Sequence, residues 1–310
     1  MKKHNHFQNR IILLTMITYL CGSFALGAIF QSQLTSLLQY TLISEIMVLL
    51  IPAVSCTARK VDVVKEFRIR PVRLSTLCLS ILCLLLVYPI VGIINVMTML
   101  LTDTSIQTTL LTEMTSGSTL MVALCMGLAP ALVEELVFRG FIYHGYRRSG
   151  PWLSVILSAL LFGLFHLNVS QACYAFVIGV VFALVLEASG SILTTMTMHF
   201  AFNMLSTVSS TSGNLDVDAY NEQVDAVLSM FQAFSPLEWA YVAGIYATLM
   251  VGCFGVIGVL IWLISKNENR EEHFTKTFFR KQNPKPDRSG IISLELVIVF
   301  AIAIAYIVLT

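Results

Sequence analysis

The sequence predicts an all-α fold, a polytopic bundle of transmembrane helices, on three observations. Hydrophobic residues make up 56% of the 310 residues and charged residues only 12%, against about 45–50% and about 25% in soluble globular chains. The apolar residues gather in blocks of about twenty, the length that crosses a bilayer core as helix. The basic residues fall between these blocks, and only between alternate ones. An ordinary cytosolic enzyme and a disordered chain are excluded by this composition. The net charge of +1 gives no case for a nucleic-acid partner.

About nine spans are expected, with eight as the alternative count. The first, 11–30, follows Met1–Arg10 and runs on to Phe30 without a small-x-small cleavage site, so it reads as a span and not as a signal peptide. The second and third are 36–56 and 74–101, separated by a segment holding Arg59, Lys60, Lys65, Arg68, Arg70 and Arg73. The fourth, 118–146, ends at Arg147 and Arg148. Shorter blocks at 152–168, 171–188 and 190–209 follow, then 236–264, a basic cytoplasmic loop at 265–289 and a last block at 291–310. With the N-terminus in the cytoplasm, 18 of the 19 Lys and Arg residues lie on the cytoplasmic side, as the positive-inside rule requires. Segments 102–117 and 210–235 hold no Lys or Arg and carry Asp103, Glu113, Asp216, Asp218, Glu222 and Asp225. A single membrane domain, 1–310, multi-pass in the cell membrane, is the expected organisation. The seven cysteines lie inside apolar blocks and form no C-x-x-C pair, which speaks against a disulfide framework or zinc ribbon.

Arg139 is the nineteenth basic residue, and it lies inside the fourth span beside Glu134 and Glu135. An ionisable residue at membrane depth is costly unless paired and marks a functional site by default. On a helix Glu135 and Arg139 are i,i+4 neighbours and pair. Glu134 lies about 100° round the helix, faces elsewhere and is left free to do chemistry.

Three more polar residues sit in apolar surroundings: His166, one turn after Phe162, and His199 with Asn203, which share a helix face. At about 1.5 Å per residue, Glu134, His166 and His199 fall about 14–21 Å from their helix ends and share one slab of the bilayer. A carboxylate and a neutral imidazole can together take a proton from water. A second imidazole and a carboxamide can donate hydrogen bonds to a developing oxyanion.

Glu134-Glu135-x-x-x-Arg139, Phe162-x-x-x-His166 and His199-x-x-x-Asn203, in this order, resemble the signature of the CPBP family, the intramembrane CAAX-protease and bacteriocin-processing proteins also called Abi. Phe176–Gly179 and Ser189-Gly190-Ser191 resemble that family's small-residue helix and its turn. The resemblance covers a catalytic core at 118–209, spans four to seven. It implies a glutamate-dependent endopeptidase in which Glu134 and His166 activate water, and His199 and Asn203 hold the oxyanion. Glu135, Arg139 and Phe162 are then supporting residues. The implied substrate is a peptide or protein entering from the membrane or the cytoplasm. In the family, cleavage of prenylated CAAX tails, bacteriocin maturation and self-immunity are the associated roles.

Zinc is the alternative cofactor, on Glu134, His166 and His199 as a His₂Glu set. No H-E-x-x-H is present and no outer-shell acceptor for either histidine is identifiable, so no metal is the preferred expectation. A proton-coupled transporter with a carboxylate–imidazole relay and a non-catalytic immunity protein are the competing classes. Glu45 and Asn95 are read as helix-packing contacts, His144 as interfacial, and the sequon Asn168-Val169-Ser170 is discounted.

Overall fold

The computed structural model describes residues 2–30, 37–100, 119–211, 217–280 and 285–309, and among these every regular element is helical. The helices are α1 (Lys2–Phe30), α2 (Leu37–Ala58), α3 (Val63–Glu66), α4 (Leu74–Met99), α5 (Leu120–Ser149), α6 (Pro151–Leu164), α7 (Val169–Ser189), α8 (Ile192–Thr211), α9 (Val217–Gln232), α10 (Pro236–Asn267), α11 (Glu271–Phe278) and α12 (Leu294–Leu309). All nine predicted blocks are helices. Five helices are long and apolar enough to cross a membrane, while α6 and α12 are apolar but shorter, and the chain is a multi-pass membrane protein. The acidic residues Asp103, Glu113 and Asp216 lie outside the described residues.

The helices differ from the apolar blocks in four places. The block 152–168 ends as helix at Leu164, so α6 has 14 residues, a length of about 21 Å against a hydrocarbon core of about 30 Å. Segment 210–235 contains α9, whose Val224, Leu228 and Phe231 recur every three or four residues and give it an apolar stripe. The loop 265–289 contains α11, which buries Phe274, Thr277 and Phe278. Helix α1 begins at Lys2 rather than residue 11.

Helices α6 and α7 form the tightest pair, for a steric reason. A Cβ on Gly163 would stand 2.5 Å from the Ala172 carbonyl oxygen, and one on Gly179 would stand 2.9 Å from Ala159 Cα. Small residues thus bring the two backbones together where apolar burial gives membrane helices no drive to associate. Helix α7 ends at Gly190, at φ 70°, the left-handed cap that glycine adopts without strain. Arg70 donates from Nε to the Gly190 carbonyl at 2.7 Å and from Nη2 to that of Ser189 at 2.6 Å, satisfying carbonyls the helix end leaves open.

The segments 57–73, 147–149, 189–191 and 265–280 meet at one end of the bundle. Glu187, fully buried, lies at their centre. Its Oε1 is 2.9 Å from Arg68 Nη1 and 2.9 Å from Arg147 Nε, and its Oε2 is 3.6 Å from His273 Nε2. Burial and the neighbouring Arg68 hold Arg270 below the usual arginine range, despite the opposing pull of Glu187. The N-terminal turns of α1 tie into the same end. Asn9 Nδ2 donates to the Ile291 carbonyl and to Ser293 Oγ, each at 2.8 Å, and Gln8 Nε2 donates to the Phe141 carbonyl at 3.0 Å. Helix α12 packs along α1 and so braces it from beyond the core segment.

Glu187→Gln removes the counter-charge of Arg68 and Arg147, and breaking a buried pair costs about 3–5 kcal/mol. In a detergent melting assay this variant melts well below the parent. Glu272→Gln, which breaks the exposed pair with Lys276, leaves the midpoint within error, because exposed pairs contribute about 0–1 kcal/mol.

Candidate active site

The site begins with a change of pitch in α5. The helix is α from Ala129 to Glu134 and π from Glu135 to Tyr143. The change therefore falls between the two adjacent glutamates, and π stretches within helices mark functional sites often. Arg139, 1% exposed, approaches Glu135 Oε1 at 3.0 Å, the expected i,i+4 pair. Its guanidinium carbon lies 4.2 Å from the Phe162 ring centroid and 5.3 Å from that of Phe182. The aromatic faces attract the cation where water cannot solvate it.

From α8, His199 comes between the two carboxylates. Nδ1 is 3.0 Å from Glu135 Oε1, and Nε2 is 3.5 Å from Glu134 Oε2. The two acids thus stand at the two ring nitrogens of one imidazole, and Glu134 also opens onto a cavity. Nδ1–H donates to Glu135, since a carboxylate only accepts. At Nε2 a proton is what gives the contact with an ionised Glu134 a donor.

His166 is positioned by backbone hydrogen bonding. At the end of α6 the last turn tightens, and the His166 N–H bonds to the Gly163 carbonyl at 3.1 Å. The Phe162 carbonyl loses its α-helical partner, and His166 Nδ1–H donates to it at 2.8 Å. With Nδ1 committed as donor, neutral His166 carries its lone pair at Nε2. The residue lies in the turn between α6 and α7 rather than on a helix. Leu167 follows at φ 53°, a conformation uncommon for a branched side chain. Asn168, the discounted sequon residue, caps α7 by accepting from the Gln171 N–H at 3.1 Å.

Glu134, His166, His199 and Asn203 all line one cavity of about 380 Å³, with Phe162 in its wall. The Phe162 ring centroid is 5.1 Å from that of His166 and 5.8 Å from that of His199, both near perpendicular. One ring thus touches Arg139 and both imidazoles. Aromatic and aliphatic residues such as Phe138, Phe165, Ile178 and Phe202 complete the lining.

Glu45, expected to be a packing residue, opens onto the same cavity from α2. Its position inside an apolar block was the available signal. No local spacing links it to the other acid residues. Asn95 does pack between helices: its Oδ1 accepts from Ser170 Oγ at 2.8 Å. His144 lies 2.8 Å from Glu66, toward the basic end.

The zinc alternative needs three donors around one point. Among the described residues no three of His, Cys, Asp or Glu gather in that way, and His199 has a carboxylate at each nitrogen. Glu134, His166 and His199 as placed do not make a metal triad. The outer-shell acceptors unidentifiable from sequence do exist, as Glu135 for His199 and the Phe162 carbonyl for His166.

A cavity with acid, imidazole and carboxamide groups at one wall holds the kinds of group that hydrolysis of a carbonyl compound uses. Residues 116–205 match the family model described as type II CAAX prenyl endopeptidase Rce1-like. The match spans less than a third of the chain, and it falls on the segment that carries Glu134, His166, His199 and Asn203. No curated protein and no solved structure matches the chain.

Arg139→Ala leaves Glu135 without its cation in a dry site, a loss of about 3–5 kcal/mol. Glu134→Ala removes an acid that retains some solvent contact, at 17% exposure. In a detergent melting assay Arg139→Ala therefore falls further than Glu134→Ala. Equal midpoints would contradict this assignment.

Proposed function

We propose that the chain cleaves a peptide bond with a water molecule activated between Glu134 and His166, without a metal. The observation that carries this reading is the different partnering of two histidines that share one cavity. His166 offers a bare Nε2 and can accept a proton from water. His199 is set between carboxylates as a donor and, with the Asn203 carboxamide one turn on, can stabilise a carbonyl oxygen turning into an oxyanion. The water oxygen bonds to the carbonyl carbon and its proton passes to Glu134 or His166. Collapse of the tetrahedral intermediate breaks the C–N bond, and that proton goes to the leaving amine. Glu135, Arg139 and Phe162 do no chemistry in this scheme. They hold His199 in place and neutralise the charge around it.

The substrate class follows from the cavity wall, which is mostly apolar, with Gln171, Ser206 and Thr207 as further polar groups beside the catalytic side and α2. An extended peptide with apolar side chains, or a tail carrying a lipid, suits such a lining. The family match supports a CAAX-type tail. Maturation of a bacteriocin-type peptide and self-immunity are narrower forms of the same proposal.

Purified full-length protein in detergent, with a farnesylated CAAX peptide and an apolar unmodified peptide as probes, tests the chemistry. Cleavage is expected without an ion gradient and in the presence of a chelator. His166→Gln is expected to lower kcat at least about 100-fold, the scale of general-base catalysis, while the protein accumulates and melts like the parent. Full activity of that variant contradicts the base assignment. Loss of activity with chelator and recovery with zinc would transfer the mechanism to the metal.

A further inference from the structure

The cavity has a third acid that the proposed mechanism does not use. Glu45, only 7% exposed, comes from α2, outside the segment matched by the family. Its carboxyl group lines the same cavity as that of Glu134 and is close enough to interact with it electrostatically. Oε2 of each is closed off from water and has no hydrogen-bond donor of its own, with His199 Nε2 standing off at 3.5 Å from Glu134. Two carboxylates have only lone pairs to offer each other, so contact between them requires a proton. Like charges this close in a dry site cannot both be kept.

The surrounding charges say how many protons there are. Facing the pair are Tyr19 on α1, Tyr40 on α2, His166 in the turn after α6, Tyr174 on α7 and His199 on α8. Tyr306 on α12 stands beyond Tyr19. Behind Glu134 on α5 stand Glu135 and Arg139, already paired. His199 can balance one further negative charge and no other cation reaches the cavity among the described residues. One ionised carboxyl is neutralised there, and a second is not.

We propose that Glu45 is a positioning residue that shares a single proton with Glu134, donating a hydrogen bond that holds the Glu134 carboxyl group aimed at the water. The catalytic consequence rests on the function proposed above, whereas the shared proton does not. The proton leaves neither residue during turnover. Glu45 acts as a fixed O–H donor, and Glu134 accepts the water proton at its other lone pairs.

Glu45→Gln keeps a donor, Glu45→Met keeps the size and loses it. For cleavage of a probe peptide, the glutamine variant is expected within about threefold of the parent, and the methionine variant at least about tenfold lower, the scale of a lost hydrogen bond to a charged group. The parent rate falls at alkaline pH as the shared proton is lost and two charges face each other. Glu45→Gln removes the part of that alkaline loss that comes from the shared proton, so its alkaline limb moves to higher pH, and it keeps the acid limb. A role confined to packing would lower the whole profile without changing its shape. Infrared spectra of the purified full chain, without substrate, read the proton directly. The parent at neutral pH is expected to show a buried protonated-carboxyl band that is absent in both variants. An unchanged band in either variant, or a glutamine variant with the parent's bell, overturns proton sharing. A band that disappears as expected, beside a Glu134→Gln variant with full cleavage, supports the shared proton and overturns the catalytic reading.

Discussion

The constraint on which the site depends is the cost of Arg139 at membrane depth. A guanidinium there must find a counter-charge and a surface that tolerates it. Glu135 supplies the first from one turn away, and Phe162 and Phe182 supply the second. The choice of Glu135 has consequences beyond pairing, because its carboxylate also accepts Nδ1–H of His199. Nε2 of that imidazole is then directed at Glu134. The charge that costs most to bury thus sets the orientation of a donor in the cavity, through two contacts about 3 Å long.

The same economy appears at the turn after α6. A helix end leaves carbonyls without partners, and His166 satisfies one of them with its own side chain. The hydrogen bond completes the helix and also fixes which ring nitrogen is bare. Gly163, one residue before the helix end, lets α7 approach so closely that this turn is held from both sides. At the opposite end of α7, Glu187 gathers Arg68 and Arg147 and fixes the ends of α5 and α7 relative to each other. Position in the cavity therefore depends on contacts at both ends of that helix.

Much of this was legible in the chain. The apolar blocks located all nine helical segments that they predicted, because length and hydropathy are properties of a contiguous stretch. Arg139 stood out as the one basic residue outside the flanks, and its i,i+4 relation to Glu135 survives in the structure. Other features depend on more than local pattern. The change from α to π pitch between Glu134 and Glu135 is not marked by any local spacing of residues. Helices α9 and α11 are amphipathic, so averaging their hydropathy hides them. Glu45 meets Glu134 only because α2 packs against α5, a contact between distant parts of the chain that no spacing encodes.

The most direct test of proteolysis at Glu134 works even while the substrate is unidentified. New peptide N-termini would be compared between cells carrying the parent chain and cells carrying Glu134→Ala at equal membrane levels. A small set of termini present with the parent and absent with the variant is the expected result, with the cut positions beside or within apolar segments. Identical sets of termini in the two strains, under conditions in which both proteins accumulate, would contradict the assignment of Glu134 to peptide hydrolysis.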